Sequence, residues 1–268
     1  MGNKNKGSIA YFDQVAADYF QRYYENSPGG YALRVRQEKV LELLDKPTGK
    51  LLDVGCGPGV MVPKLINLGF EFWGVDASPR MIEQCHKAFG KVNRAHFTVG
   101  NATALAFADE FFDVILCMGV IDRIKDYETA IQEMSRVLKP GGTLLITFTN
   151  LLSPHAAWRN FVFYPMMACL RPLYYGLTRR PQPPALVSLA RLYTQNAATR
   201  LVTKYCGRVT DVVYFYINLF LSPLDELFPR WAVWTAERLE PLCSGKLKWL
   251  GASFIVKAKK RSHFHATS

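Results

Sequence analysis

Leu51-Leu52-Asp53-Val54-Gly55-Cys56-Gly57-Pro58-Gly59-Val60 reads as a buried strand that turns sharply into a helix. The alternating glycines leave the main chain open at the turn, because no Cβ stands between it and a ligand lying across it. Seventeen residues after Gly59, Asp76 closes a second apolar run, Phe72-Trp73-Gly74-Val75. An acid at the tip of a second strand can accept both hydroxyls of a ribose. The two features together predict a nucleoside cofactor. A dinucleotide fingerprint spaces its glycines G-x-G-x-x-G, whereas Gly55, Gly57 and Gly59 alternate behind an acid, Asp53.

Outward from this stretch, strand and helix signals alternate. Strands are predicted at 51–55, 71–76, 95–99, 113–118 and 143–149, with helices at 59–68, 79–89 and 127–137. Such alternation gives a parallel sheet covered on both faces, with ligands at the carboxyl ends of its strands. Gly55, Asp76, Asn101 and Met118 fall at those ends. Helices are also expected over Ile9–Tyr24, with Phe12, Val15, Ala16, Tyr19, Phe20 and Tyr23 on one side, and over Tyr31–Leu44. On the latter, Arg34 and Arg36 read as solvated, although either could reach a carboxylate. After 192 the pattern resumes with a helix near 195–205, a strand near 212–219, a helix near 230–239 and a strand near 253–258.

Further motifs follow in order: Gly74-Val75-Asp76-Ala77-Ser78-Pro79-Arg80-Met81, Gly100-Asn101-Ala102, Phe111-Phe112-Asp113-Val114-Ile115, and Leu138-Lys139-Pro140-Gly141-Gly142-Thr143-Leu144. With these, residues 9–150 resemble the class I S-adenosylmethionine (SAM)-dependent methyltransferases, of the kind that act on quinones and natural products. The resemblance implies an α/β fold with a doubly wound, seven-stranded, mostly parallel sheet whose last strand inserts antiparallel beside the fifth. It also implies one domain over 1–268: a helical cap (1–48), a SAM-binding core (49–150), an insertion or lid (151–192) and the rest of the sheet (193–268). Cofactor contacts are expected from Tyr19, Asp53, Gly55, Cys56, Gly57, Gly59, Asp76, Ala77, Met81, Asn101, Ala102 and Met118. Phe12-Asp13-x-x-Ala16-x-x-Tyr19 matches a helix lying over the methionine end. Asn101 stands where many relatives carry an Asp, and its carbonyl could accept the same bond from the adenine amino group.

Six cysteines are scattered without a C-x-x-C pair or a histidine at ligand spacing, so neither a zinc site nor a disulfide framework is expected. The polar start carries no signal sequence pattern, and a cytoplasmic location follows as the expectation. The formal charge of +11 is unevenly spread: residues 1–150 carry 17 basic and 17 acidic side chains, and 151–268 carry 16 and 5. No Asp or Glu occurs from Ser135 through Thr210. That run implies a positive surface facing phosphates of lipid, nucleic acid or substrate.

Methyl transfer needs alignment above all, and a base only where the acceptor holds a proton near neutral pH. Asp122, His155, Tyr214 and Tyr216 are the candidates, and a surface histidine at a helix start is the competing reading of His155. The fourth strand ends Leu116-Cys117-Met118-Gly119-Val120, without the Asn/Asp-Pro-Pro-Tyr/Phe motif of amino-methylating enzymes, which disfavours base N-methylation. The insertion interleaves Arg159, Arg171, Arg179, Arg180 and Arg191 with Trp, Tyr, Phe and Met. That composition suits an element at the face of an anionic membrane, or a tunnel for an isoprenoid-like acceptor. A lid over a soluble metabolite, an RNA clamp and a non-catalytic SAM-fold binding module remain open. The uncharged stretch Phe161 to Leu170 is shorter than the ~20 residues of a bilayer span.

Overall fold

A computed structural model describes residues 3–45, 48–170 and 191–262. Its centre is a sheet in the order β3-β2-β1-β4-β5-β8-β7. Strands β1 (Gly49–Val54), β2 (Phe70–Asp76), β3 (Ala95–Val99), β4 (Phe112–Cys117) and β5 (Leu138–Asn150) run parallel. β8 (Ser253–Lys260) pairs antiparallel with both β5 and β7 (Gly207–Phe215). A two-residue β6 (Leu192–Tyr193) extends the end of β5. This is the expected sheet with one short strand added.

Period-two side chains sort the strands into two cores. Leu52, Val54, Ile115, Cys117, Leu144, Ile146, Phe254 and Val256 face α5 (Tyr127–Val137) and α8 (Gln195–Tyr205). Leu51, Val114, Leu116, Leu145 and Ile255 face the other way. There they meet α2 (Pro28–Glu42), α3 (Val62–Asn67), α4 (Pro79–Phe89) and α10 (Pro229–Leu239). A sheet clothed on both faces must be apolar on both, which is why its strands read as continuous hydrophobic runs. Helix starts are set locally: Ser27, Ser78, Ser153 and Thr194 each accept the N–H three residues on, and Pro28, Pro79 and Pro154 occupy first turns.

Three segments differ from the sequence reading. Lys139-Pro140-Gly141-Gly142, which the sequence places ahead of a strand at 143–149, lies inside the 13-residue β5. There it forms a bulge, the register slipping between Phe112 and Val114 of the neighbouring strand, with Gly141 at φ +71°. The first helix, α1 (Asn3–Tyr19), stops early and gives way to a 3₁₀ turn at Gln21–Tyr23. The strand expected to reach residue 219 ends at Phe215, because Tyr216 turns into the left-handed region at φ +63°. The insertion begins with α6 (Pro154–Trp158), widens to a π-turn at Arg159–Phe163 and continues as α7 through residue 170. Arg171, Arg179 and Arg180 lie outside the described residues. A short α9 (Leu224–Leu227) precedes α10.

Candidate active site

The carboxyl ends of β1 to β4 open into a cleft of about 380 Å³, within the range of ligand pockets. Its floor is the glycine turn. Gly55 N–H donates to Val75 O at 2.6 Å, and Gly57 N–H donates to Asp76 Oδ2 at 2.9 Å. Gly55 and Gly57 sit at φ +78° and +55°. A Cβ on Gly57 would meet nothing within 4 Å, so its main chain is bare to the cleft. Asp76 Oδ1 accepts the Ser78 N–H at 2.9 Å, which fixes the carboxylate at the mouth of β2 with each oxygen half used. Burial raises this carboxyl above its usual range against the pull of the Ser78 and Gly57 N–H groups.

Asp53 lies behind the turn, 2% exposed, with Oδ1 unpartnered. Burial pushes its carboxyl up to about 7, the Arg36 guanidinium draws it back, and Asp76 adds to the rise. Arg36 Nη2 donates to Tyr23 Oη at 3.3 Å, and its Nε is buried without a partner. A carboxylate oxygen and a guanidinium nitrogen, both open and buried in one cleft, form a complementary pair for a zwitterion's ammonium and carboxylate. The helix α1 roofs the cleft with Ser8, Ile9, Phe12 and Tyr19. Its Asp13 Oδ1 accepts from Ser78 Oγ and from Arg80 N, pinning α1 to the start of α4.

Of the expected cofactor residues, Tyr19, Asp53, Gly55, Cys56, Gly57, Asp76, Ala77, Met81, Asn101, Ala102 and Met118 line this cleft. Gly59 does not: a Cβ there would lie 3.1 Å from Phe89 and 3.2 Å from Cys85, so the glycine leaves room for that packing. Asn101 Oδ1 accepts the Thr103 N–H at 3.1 Å and so shapes its own loop. Arg36, read from sequence as solvated, is instead part of the wall, whereas Arg34 ties down the Tyr23 and Glu25 carbonyls.

A second chamber, about 1000 Å³, adjoins the first. Phe12, Tyr19, Arg36, Gly119 and Arg123 line both. The remaining wall mixes rings (Tyr11, Phe148, Phe163, Tyr164, Phe215, Tyr216) with Asp122, His155, Arg159 and Asp225. Asp122 accepts the Thr149 N–H at 3.0 Å, and its other oxygen is unpartnered. Burial lifts its carboxyl up to about 7 despite those Thr149 bonds. His155 is not a surface residue: it is 2% exposed and faces Asp225 Oδ2 at 3.3 Å. Tyr214 packs in the core with its hydroxyl on Gln195, away from both cavities. Asp225 escaped the sequence reading, because nothing local joins residue 155 to one seventy positions away.

Residues 52–146 match the family pattern described as "Methyltransferase domain". Residues 52–146 thus form a methyltransferase domain, in a chain with the fold of the SAM-dependent methyltransferases. An uncharacterized methyltransferase of Schizosaccharomyces pombe is 30% identical over 151 residues, covering 50% of this chain and 54% of that protein. A ubiquinone biosynthesis O-methyltransferase of Pseudomonas fluorescens is 28% identical over 155 residues, covering 56% and 66%. The chain thus spans between about half and two thirds of these relatives' length. A SAM-dependent methyltransferase of Thermotoga maritima shares the fold at TM-score 0.59 and 20% identity, over 94% of this chain and 99% of that one. SAM is the cofactor of this methyltransferase domain, and the cleft fits it. The bare Gly57 main chain, the half-used Asp76 carboxylate and the open Asp53 and Arg36 atoms match a nucleoside joined to an amino acid. When bound, SAM supplies an activated methyl on a sulfonium. The residues that line the cleft would hold it and shield the methyl from water.

Proposed function

We propose that this chain transfers a methyl group from SAM to an oxygen or carbon of a hydrophobic, quinone- or isoprenoid-like small molecule taken from a membrane surface. Asp76 holds the ribose, and Asp53 and Arg36 hold the methionine ammonium and carboxylate. Tyr19, Gly55, Cys56, Gly57, Ala77, Met81, Asn101, Ala102 and Met118 complete the cofactor contacts. The observation that carries the reading is the large chamber that shares a wall with the cofactor cleft, rich in aromatic rings and polar at its base.

The surroundings of that chamber support the membrane part. Phe163 and Tyr164 on one side and Glu226 and Pro229 on the other line it. In the same segments Phe161, Met166, Met167, Leu227, Phe228, Trp231 and Trp234 are exposed. Trp231 and Trp234 stand against each other on α10, and exposed apolar side chains grouped in this way mark interaction surfaces. No described helix is long and apolar enough to cross a membrane. The ubiquinone O-methyltransferase relative supports a ring-bearing acceptor.

The test is to incubate the protein with methyl-labelled SAM and a cell lysate, then partition the products. Label in the organic phase is the expected result, and mass spectrometry then identifies the acceptor. Label confined to the aqueous phase would replace this reading with a soluble acidic metabolite, which Arg22, Arg36, Arg123 and Arg159 on the chamber wall would also suit.

A further inference from the structure

Three guanidinium groups line the larger chamber without a carboxylate to meet them. They belong to Arg22, Arg36 and Arg159, and no described carboxylate forms an ion pair with any of the three. Aromatic side chains hold them instead. Arg22 Nη1 donates to Tyr11 Oη at 3.5 Å, and its guanidinium lies 5.3 Å from the centre of the Tyr19 ring. That of Arg159 lies 5.9 Å from the Tyr164 ring. Stacking of this kind orients a guanidinium and leaves its in-plane N–H donors available. The acids of the same wall do not supply the missing charge. Asp225 is taken up by His155 at 3.3 Å, Ser222 Oγ at 3.1 Å, Asn218 Nδ2 at 3.3 Å and the Glu226 N–H at 3.1 Å. Asp122 accepts from the Thr149 N–H and hydroxyl, and burial raises both its carboxyl and that of Glu226. Glu25 is exposed and accepts from Ser27 Oγ at 3.3 Å.

Packing brings two of these arginines to one helix start. α2 begins Pro28-Gly29-Gly30-Tyr31, and both glycines line the chamber. A Cβ on Gly30 would lie 2.7 Å from the Arg22 carbonyl, which seats residue 22 against this first turn. On the other side the Tyr31 ring packs 6.2 Å from that of Tyr216. Burial pushes the Tyr216 hydroxyl up and the nearby Arg159 charge draws it back, so Arg159 approaches the same turn. Gly29 is the second residue of the helix, where an N–H has no intrahelical acceptor, and a Cβ on it would meet nothing within 4 Å. Arg36 also lines the cofactor cleft, whereas Arg22 and Arg159 line the larger chamber alone. Two guanidiniums beside a bare N–H match the three terminal oxygens of a phosphate monoester and its charge of about −1.5 to −2. A carboxylate brings two oxygens and a single charge.

We propose that the larger chamber takes an acceptor with a phosphate head, held by Arg22 and Arg159 at the start of α2. This rests on the methyl-transfer reading above and adds a charged end to the hydrophobic acceptor named there. From the head, the apolar body of the molecule runs along the rings of Phe148 and Phe215 towards Phe12, Tyr19 and Gly119. The last three also bound the cofactor cleft, so the methylated atom sits on the body and away from the phosphate. Contacts at a remote head align a reacting centre that the protein barely touches. Arg22 and Arg159 are therefore specificity residues. The acid-free run from Ser135 through Thr210 has a local use here, because Arg159 stands within it and meets no competing carboxylate from its own segment.

The test uses the full chain with SAM and two probes, farnesyl phosphate and farnesol. Calorimetry should show the phosphate binding about 10- to 100-fold more tightly than the alcohol, the range expected of hydrogen bonds between charged groups. Arg22→Gln and Arg159→Gln should each remove about tenfold of that preference while farnesol and SAM affinities stay within about threefold of wild type. Arg159→Lys should keep part of the preference, since the charge remains and the fork is lost. Equal affinity of the wild-type protein for the two probes overturns the proposal, even if the variants fail to fold. In the lysate experiment above, the labelled organic-phase product should bind an anion exchanger and pass through it after treatment with a phosphomonoesterase. Product that never binds, or that binds and resists the phosphomonoesterase, overturns the phosphate head and leaves methyl transfer standing. Failure of the wild-type protein to bind SAM would instead sink the reading beneath it.

Discussion

Gly55 and Gly57 stand two positions apart, both left-handed, yet they answer to different constraints. A Cβ on Gly55 would lie 2.2 Å from Val120 Cγ2, whereas one on Gly57 would enter open space. Gly55→Ala should therefore destabilise the fold by roughly 1–3 kcal/mol, and urea unfolding will read it. Gly57→Ala should cost only about 1 kcal/mol in stability yet weaken SAM binding more than tenfold, because its methyl occupies cofactor space. Asp76→Ala should reduce SAM affinity by about 1.5–3 kcal/mol by calorimetry, the value of hydrogen bonds to a charged group. Asp53 adds a pH dependence. With its carboxyl near 7, the group is neutral at pH 5.5 and offers a ligand ammonium no counter-charge. SAM affinity should rise between pH 5.5 and 7.5, and Asp53→Asn should flatten that rise. The same raised value means that folding binds a proton more tightly than the unfolded chain does. Stability should thus fall as pH climbs from about 4 to 7, by at most about 1.4 kcal/mol per pH unit for each such group.

Among the elements, the glycine turn, the strand-tip acid and the loop at Gly100-Asn101-Ala102 were legible in the sequence. Each depends on a few consecutive residues whose spacing is set by backbone geometry. Gly59 was legible as part of the pattern but not in its task, which is close packing against Cys85 and Phe89. Arg36 read as solvated because an arginine on an amphipathic helix usually is. Only the tertiary approach of α2 to β1 and to Gly119 brings it inside. The pairing of His155 with Asp225 had no local signal at all, since it forms when α9 folds back beside α6. The roof helix α1 is held at Asp13 by Ser78 and Arg80. Asp13→Ala should release it, at a cost of about 1 kcal/mol in SAM affinity. Limited proteolysis should then cut near the N-terminus faster, with SAM restoring less protection than in wild type.

On the scale of the whole molecule, the +11 charge excess lies entirely after residue 150, on the half that carries α7, α9 and α10. On the membrane reading proposed above, the protein should float with anionic vesicles at low salt and lose that association as salt rises. Trp231→Ser with Trp234→Ser should abolish flotation while leaving SAM affinity unchanged. Flotation of that double variant at wild-type level would count against the apolar face as the contact.

The wall between the two cavities has a kinetic consequence. Phe12, Tyr19, Arg36, Gly119 and Arg123 belong to both, so neither compartment can be filled or emptied without touching the other's boundary. Tyr19 and Phe12 belong to the α1 roof, and on the methyl-transfer reading proposed above an acceptor seated first would stand in the way of the nucleoside. Turnover should therefore follow a compulsory sequence, donor first and spent donor last. Initial-rate patterns would show it: the thioether product competing with SAM, and the methylated product competing with neither substrate.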